Sequence, residues 1–246
     1  MPPKRSNARG LDPDLVIAID GPAGSGKSTI AEGVAKALGL RRLDTGAMYR
    51  ALTWKAVRQG IRPDDAQALA DLARRTRFSY RDSEILLNGR PVGDAIRLPE
   101  VSSVVSRVAA HRPVRRELVR RQRQIIGKGG VVVEGRDIGT VVCPNADLKV
   151  FLTASPTERA RRRHRELSDA GVRVPYATLR REQARRDALD STRPVSPLMP
   201  ADDAVTIDST GKTPRQTVAE VVRLARAVPR AHDDTKERSR AGARGR

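Results

Sequence analysis

The chain has 246 residues and a mass of 26.9 kDa, which fits one large domain or a core with a modest insert and excludes a small disulfide-stapled scaffold. Aromatic residues make up 2% of it, too few for the stacked rings that bind single-stranded nucleic acid. The net charge of +19 comes mostly from 40 arginines. Arginine binds phosphate through its planar guanidinium group, although a general bias toward arginine would give the same composition.

Short apolar runs alternate with helical patterns along most of the chain. Strands are predicted at residues 15–20, 41–43, 131–134, 148–152 and 204–208, and helices near 27–38, 46–59, 99–126, 156–169, 175–189 and 214–228. Apolar runs without polar interruption indicate strands that are buried on both faces. The order of elements therefore predicts an α/β fold with a parallel central sheet flanked by helices.

Three parts of the chain depart from this alternation. Residues 77–93 predict antiparallel strands with a type I′ turn at Asn88 and Gly89, within an insert that spans about residues 62–108. Residues 1–14 and 229–246 are polar and lack periodicity, so we expect both to be disordered extensions, the second of them basic. The predicted domain therefore covers residues 15–228.

The first predicted strand runs directly into a glycine-rich loop that precedes a helix. The loop comprises Gly21, Pro22, Ala23, Gly24, Ser25, Gly26, Lys27 and Ser28, and Thr29 follows it. Its spacing, G-x-x-x-x-G-K-S, lets backbone N–H groups surround a phosphate at a helix N-terminus. We expect Lys27 to reach the β- and γ-phosphates of a nucleoside triphosphate, and the Ser28 hydroxyl to ligate Mg²⁺.

A phosphate loop alone is compatible with kinases, GTPases, motors and helicases. The guanine-reading tetrapeptide Asn-Lys-x-Asp is absent from the sequence, and helicases and motors are usually longer. Small size and two separate arginine clusters favour phosphoryl transfer to a small anionic acceptor.

The second predicted strand ends in the run Asp44-Thr45-Gly46-Ala47-Met48-Tyr49-Arg50. Thr45 is a candidate either for an anion contact or for a structural N-cap. With the phosphate loop, this run resembles a motif of the bacterial cytidylate kinases. Further stretches agree in order, at residues 105–110, 114–115, 120–123, 134–142 and 186–193, so the resemblance extends over about residues 15–228.

The resemblance implies a P-loop kinase that transfers phosphate from ATP to CMP and dCMP, with Mg²⁺ as cofactor. It implies that the acceptor phosphate is bound by Thr45, Arg50 and Arg136, the cytosine by Ser106, Arg115, Asp137 and Arg193, and the ribose by Arg186 and Asp190. It also implies a mobile helical lid at about residues 156–173, whose arginines Arg159, Arg162 and Arg163 close over ATP. For that cluster, a solvated helix face is the competing interpretation.

Asp137 is the candidate for distinguishing cytosine from uracil. A carboxylate only accepts hydrogen bonds, and cytosine presents an amino group where uracil presents a carbonyl. The competing roles for Asp137 are an N-cap, a salt bridge to Arg136, and Mg²⁺ ligation.

The acceptor is a phosphate oxygen, which is already nucleophilic, so the reaction needs no general base. This agrees with the sequence, since its three histidines, His111, His164 and His232, have no metal-ligand spacing and no Ser/His/Asp grouping. Two alternatives stay open: a kinase of another small acceptor, and a basic P-loop protein that binds nucleic acid.

The single cysteine, Cys143, cannot form an intramolecular disulfide and fits a reducing cytoplasm. No apolar run approaches the ~18 residues of a membrane helix. We expect a cytoplasmic protein with no membrane partner. We also expect a monomer, and no specific nucleic-acid partner, since aromatic residues are scarce.

Overall fold

The computed structural model describes residues 12–169 and 171–229. The strands are β1 (Val16–Asp20), β2 (Arg41–Asp44), β3 (Phe78–Arg81), β4 (Glu84–Leu87), β5 (Arg90–Pro91), β6 (Val131–Gly135), β7 (Leu148–Thr153) and β8 (Val205–Asp208). The helices are α1 (Lys27–Leu38), α2 (Thr45–Arg58), α3 (Ala66–Arg75), α4 (Pro99–Ala110), α5 (Arg112–Ile126), α6 (Pro156–Asp169), α7 (Tyr176–Thr192) and α8 (Pro214–Ala227). No helix in this part of the chain is long and apolar enough to span a membrane.

Five parallel strands form the central sheet in the order β2-β6-β1-β7-β8, as the sequence predicts. Alternate residues of β1 serve opposite faces: Ile17 and Ile19 pack in one apolar cluster with α1 and α8, and Ala18 packs in another with the end of α5. All five residues of β6 are buried. Burial on both faces explains why these strands appear in the sequence as uninterrupted apolar runs.

The insert consists of α3, a three-stranded antiparallel sheet (β3-β4-β5), a 3₁₀ helix over Gly93–Arg97, and α4. The predicted turn at Asn88 and Gly89 has positive φ at both residues, 51° and 82°, as a type I′ turn requires. A second turn of this kind, at Asp82 and Ser83 with φ of 48° and 68°, joins β3 to β4.

The helix predicted over residues 99–126 is wrong as a single helix, because the structure divides it into α4 and α5 at His111. His111 has extended dihedrals, φ −71° and ψ 118°. Pro113 has no N–H to donate to the carbonyl of Ala109. Arg115 Nη1 donates to that carbonyl instead, at 3.1 Å.

Helix α3 is not among the helices predicted from the sequence. Its signals are an N-cap at Asp65, whose carboxylate accepts from the N–H of Ala68 at 2.9 Å, and buried side chains at Leu69, Leu72 and Ala73. That spacing is typical of a helix with one apolar face.

Residues 1–11, 170 and 230–246 lie outside the described residues. Most of the two predicted extensions, 1–14 and 229–246, and one residue of the predicted lid fall there. The domain boundaries at 15 and 228 therefore stay predictions. The helical part of the predicted lid corresponds to α6, which packs against α7.

Candidate active site

The phosphate loop joins β1 to α1 at the carboxyl end of the central strand. Gly21 has φ +149°, and a Cβ there would lie 2.0 Å from the carbonyl oxygen of Leu152, so only glycine fits. Lys27, the first residue of α1, is buried and folds back on the loop. Its Nζ donates to the carbonyl of Pro22 at 2.7 Å and to Ser25 Oγ at 3.4 Å.

The surroundings of Lys27 are strongly cationic. Burial and the positive charge of Arg136 lower the pKa of Lys27 well below its usual value, Glu134 opposes this, and Arg186 adds to it. Several cations in one desolvated region make a favourable site for a polyanion.

Glu134, at the end of β6, connects the loop to β2. Its carboxylate accepts from Ser28 Oγ at 2.8 Å and from Arg42 Nε and Nη2 at 2.9 and 2.7 Å. Burial, with the negative charge of Asp44, raises the pKa of Glu134 against the opposing effect of Arg42. From the sequence, Glu134 is the end of a buried strand and part of the stretch that resembles the family, but no site role is predicted for it.

The oxygens of Ser28 and Glu134 are hard ligands of the kind that Mg²⁺ prefers, and Mg²⁺ usually takes only one or two protein ligands beside water and phosphate. The pair therefore fits this ion. Residues 12–169 and 171–229 hold no cluster of three or more His, Cys, Asp or Glu side chains arranged around a metal position.

The junction of β2 and α2 lies beside the end of β6. Asp44 is the N-cap of α2, since its carboxylate accepts from the N–H of Ala47 at 3.0 Å, so the N-cap interpretation of Thr45 is wrong. Thr45 is the first helical residue, and its buried hydroxyl donates to the carbonyl of Glu134 at 2.7 Å. Tyr80, from the insert, donates to the carbonyl of Asp44 at 2.6 Å.

Arg50 projects from α2 toward the insert. Its Nη1 donates to Ser102 Oγ at 2.9 Å and to the carbonyl of Ile96 at 3.3 Å. Burial and the nearby cations Arg97 and Arg136 lower the pKa of Arg50 to about 10. Arg50 therefore stays charged at neutral pH but lacks a carboxylate partner among the described residues, which leaves it free to bind an anion.

Asp137 and two arginines form a buried cluster. Arg115, on α5, contacts the Asp137 carboxylate through Nη2, and its guanidinium lies 5.4 Å from the ring centroid of Tyr49. Arg193 Nη2 lies 3.7 Å from the other carboxylate oxygen. Arg115 Nε and Arg193 Nη2 are buried without a hydrogen-bond partner among the described residues, so both remain able to donate to a ligand.

Arg136, beside this cluster, pairs with α7. Its Nε donates to Asp190 Oδ2 at 3.0 Å. Burial opposes the ionisation of Asp190, but Arg136 and Arg186 outweigh it and lower the pKa of this carboxyl. Burial and the cations Arg136 and Arg50 lower the pKa of Arg186 to about 9, and its Nε has no described partner.

The structure thus brings most of the predicted acceptor residues together around the ends of β2 and β6, within reach of α7. Ser106 lies half-buried on α4, and its hydroxyl bonds to none of the residues described.

The three predicted lid arginines lie on α6 in different environments. Arg159 is buried, and its Nη1 donates to the carbonyl of Ala23 at 3.0 Å and to Asp187 Oδ2 at 2.6 Å. Arg162 donates to the carbonyls of Ser25, at 3.2 Å, and Ser209, at 2.7 Å. Both therefore tie α6 to the phosphate loop or its neighbourhood.

Arg163 is half-buried and pairs with Glu166 at 2.8 Å. The positive charge of Arg163 is also among those that lower the pKa of Arg50. Arg163 therefore lies close enough to Arg50 for their charges to interact.

Comparison with known proteins agrees with this geometry. A family model described as cytidylate kinase matches residues 17–227. A cytidylate kinase of Desulfitobacterium hafniense is 50% identical over 214 residues, which cover 86% of this chain and 92% of that protein. One of a Geobacillus species is 48% identical over 215 residues, covering 86% and 96%. The crystal structure of an uncharacterized protein from Eubacterium ventriosum, 11% identical, covers 87% of this chain with a TM-score of 0.50, a similarity of fold alone.

Proposed function

This chain belongs to the cytidylate kinase family, and we propose specific roles for its residues in the transfer of the γ-phosphoryl group of ATP to CMP and dCMP. In this arrangement the phosphate loop binds the donor, and the residues around the ends of β2 and β6 bind the acceptor. The protein is a nucleoside monophosphate kinase, and the products are ADP and the cytidine diphosphate. One observation supports the arrangement above all. The phosphate loop follows β1 and the acceptor cluster follows β6, and these strands are neighbours, with Asp20 in register with Gly135.

The donor side consists of the loop from Gly21 to Ser28, followed by Thr29. Lys27 neutralises charge on the transferring group when a triphosphate displaces its contact with the carbonyl of Pro22. The Ser28 hydroxyl, with the Glu134 carboxylate beside it, would hold Mg²⁺, which would add to the neutralisation of the phosphate oxygens. Arg162 and Arg163 approach the phosphates from α6, and Arg159 holds the loop through Ala23.

The acceptor phosphate is bound by Arg50, Arg136 and Thr45. Arg50 has no carboxylate partner among the described residues, and the positive charge of Arg136 lies close enough to lower its pKa, so a phosphate dianion relieves the repulsion between the two cations. Arg186 and Asp190 bind the ribose beside them. The nucleophile is an ionised phosphate oxygen, so the chain supplies positions and charges rather than a general base.

The base pocket is the cluster of Asp137, Arg115 and Arg193, and Ser106, on α4, is the further residue assigned to the base. The Asp137 carboxylate accepts from the amino group of cytosine, while Arg115 and Arg193 donate to the carbonyl and ring nitrogen through the atoms that lack partners. Uracil would place a carbonyl against the carboxylate and an N–H against a donor. Each mismatch costs on the order of 1–3 kcal/mol, so CMP is favoured over UMP by about 10²-fold or more.

We also propose a monomeric enzyme in the cytoplasm, whose partners are small nucleotides rather than nucleic acid or a membrane; the 2% of aromatic residues disfavours binding of single-stranded nucleic acid.

The test measures ADP release with Mg-ATP and, in turn, CMP, dCMP, UMP, AMP and dTMP. We expect CMP and dCMP to be the preferred acceptors, and another preferred acceptor would contradict the proposal. In Asp137→Asn the amide can rotate to donate to uracil, so kcat/KM should fall for CMP and fall less, or rise, for UMP. An equal fall for both with a raised Mg²⁺ requirement would assign Asp137 to the metal.

A further inference from the structure

Asp20, the last residue of β1, bonds to the turn that follows β6. Its side chain is buried, with 5% of its surface exposed. Oδ1 accepts from the N–H of Ile138 and Oδ2 from the N–H of Gly139, both at 2.8 Å. Both oxygens of one carboxylate thus bind consecutive backbone N–H groups of a segment that is 118 residues away in the sequence.

These two N–H groups open the π-helical turn over Ile138–Val142. The first N–H groups of a helical turn have no partner within the turn, and they carry partial positive charge that a carboxylate complements. Asp137 immediately precedes this turn and has φ −144° and ψ 31°, so the direction of its side chain depends on where the turn is held.

A buried negative charge is energetically unfavourable in this position. The presence of a carboxylate therefore argues that both of its oxygens are needed as hydrogen-bond acceptors. Burial, helped by the negative charge of Asp137, raises the pKa of Asp20 to about 6. The two backbone N–H groups and the positive charge of Lys27 oppose this shift and lower the pKa. An asparagine would avoid this cost, but it offers one acceptor and turns its amino group toward the second N–H.

We propose that Asp20 is a positioning residue for the acceptor nucleotide: its carboxylate fixes the start of the turn at Ile138 and Gly139 and thereby aims Asp137 at the base. The inference rests on the proposed function. Asp20 would thus connect the strand that ends in the phosphate loop to the residues proposed to select cytosine, through its bonds to the backbone of the turn.

Asp20→Asn tests this, because it removes one of the two acceptors without changing the size of the side chain. We expect the dissociation constant for CMP, measured calorimetrically without ATP, to rise on the order of tenfold, and the CMP-to-UMP ratio of kcat/KM to fall by a similar factor. The KM for ATP should change less than twofold, because the phosphate loop keeps its own backbone contacts.

Asp147→Asn is the matched control. The Asp147 carboxylate accepts from the N–H of Val16 at 2.7 Å, so it also caps β1, but at the end far from the phosphate loop. We expect this variant to keep the wild-type CMP-to-UMP ratio. If Asp20→Asn does not fold at 25 °C, Asp20→Glu keeps the charge, displaces both oxygens, and should show the same selective loss for CMP.

A folded Asp20 variant with wild-type CMP affinity and selectivity would overturn the inference, and so would an equal rise of the dissociation constants for CMP and ATP with an unchanged selectivity ratio. These outcomes differ from failure of the proposed function, in which the wild-type enzyme itself would not prefer CMP.

Discussion

Replacing Asp137 by asparagine should destabilise the free enzyme, apart from any effect on specificity. The side chains of Arg115 and Asp137 are 3% and 7% exposed, so the substitution leaves a buried guanidinium without its counter-charge. Removing one partner of a buried ion pair costs about 3–5 kcal/mol. The asparagine carbonyl can still accept one hydrogen bond from Arg115, which offsets about 1 kcal/mol. The expected loss is therefore about 2–4 kcal/mol.

For a domain of this size, 1 kcal/mol corresponds to roughly 2–4 °C in the melting temperature, so the Tm should fall by about 4–16 °C. The assay is thermal unfolding followed by circular dichroism without nucleotide. Asp64→Asn is the control, because Asp64 pairs with Arg107 at the surface, where the two side chains are 66% and 48% exposed. Exposed pairs contribute up to about 1 kcal/mol, so the Tm of this variant should fall by less than about 4 °C.

A double-mutant cycle isolates the pair itself. Asp137→Asn combined with Arg115→Met should cost less than the sum of the two single substitutions, because no guanidinium of Arg115 remains to be compensated. A Tm for Asp137→Asn equal to that of Asp64→Asn, with additive single effects, would refute the reasoning from burial.

Three further predictions follow from individual side chains. Lys27→Ala should lower kcat by at least about 10²–10³-fold with an unchanged or raised Tm, since it removes both the phosphate contact and a buried cation; a fully active variant would contradict the phosphate-loop assignment. Tyr80→Phe should lower the Tm by about 2–4 °C through the lost bond to the Asp44 carbonyl, and no change would show that this bond is not maintained in solution. Burial raises the pKa of Cys143 to about 11, so ~1 in 1,000 molecules carries the thiolate at pH 8, and iodoacetamide should label the native protein far more slowly than the unfolded one.

The sequence predicts those features of the fold that depend on neighbouring residues. Uninterrupted apolar runs identify strands buried on both faces, and the glycines of the phosphate loop fix its backbone locally. The turn at Asn88 and Gly89 is predicted for the same reason, since its positive φ angles depend on these two residues alone.

Contacts between distant parts of the chain could not be predicted in this way. Glu134 contacts Ser28 and Arg42 only because β6 lies between β1 and β2 in the sheet. The order of the strands depends on the whole chain, so no single segment of the sequence predicts it. Arg159 is similar: the family resemblance implies that it closes over ATP, yet its guanidinium is engaged by the carbonyls of Ala154 and Ala23 and by Asp187.

The pairing of β1 with β6 also has a geometrical consequence for phosphoryl transfer. Neighbouring strands are held ~4.8 Å apart by their backbone hydrogen bonds, whatever side chains they carry. The starting points of the donor loop, after Asp20, and of the acceptor turn, after Gly135, are therefore a fixed lateral distance apart. The sheet therefore fixes the lateral separation between the loop and the turn that we propose hold the donor and acceptor phosphates. Substitutions elsewhere can alter nucleotide affinity without changing this separation, because it depends on the pairing and register of the two strands.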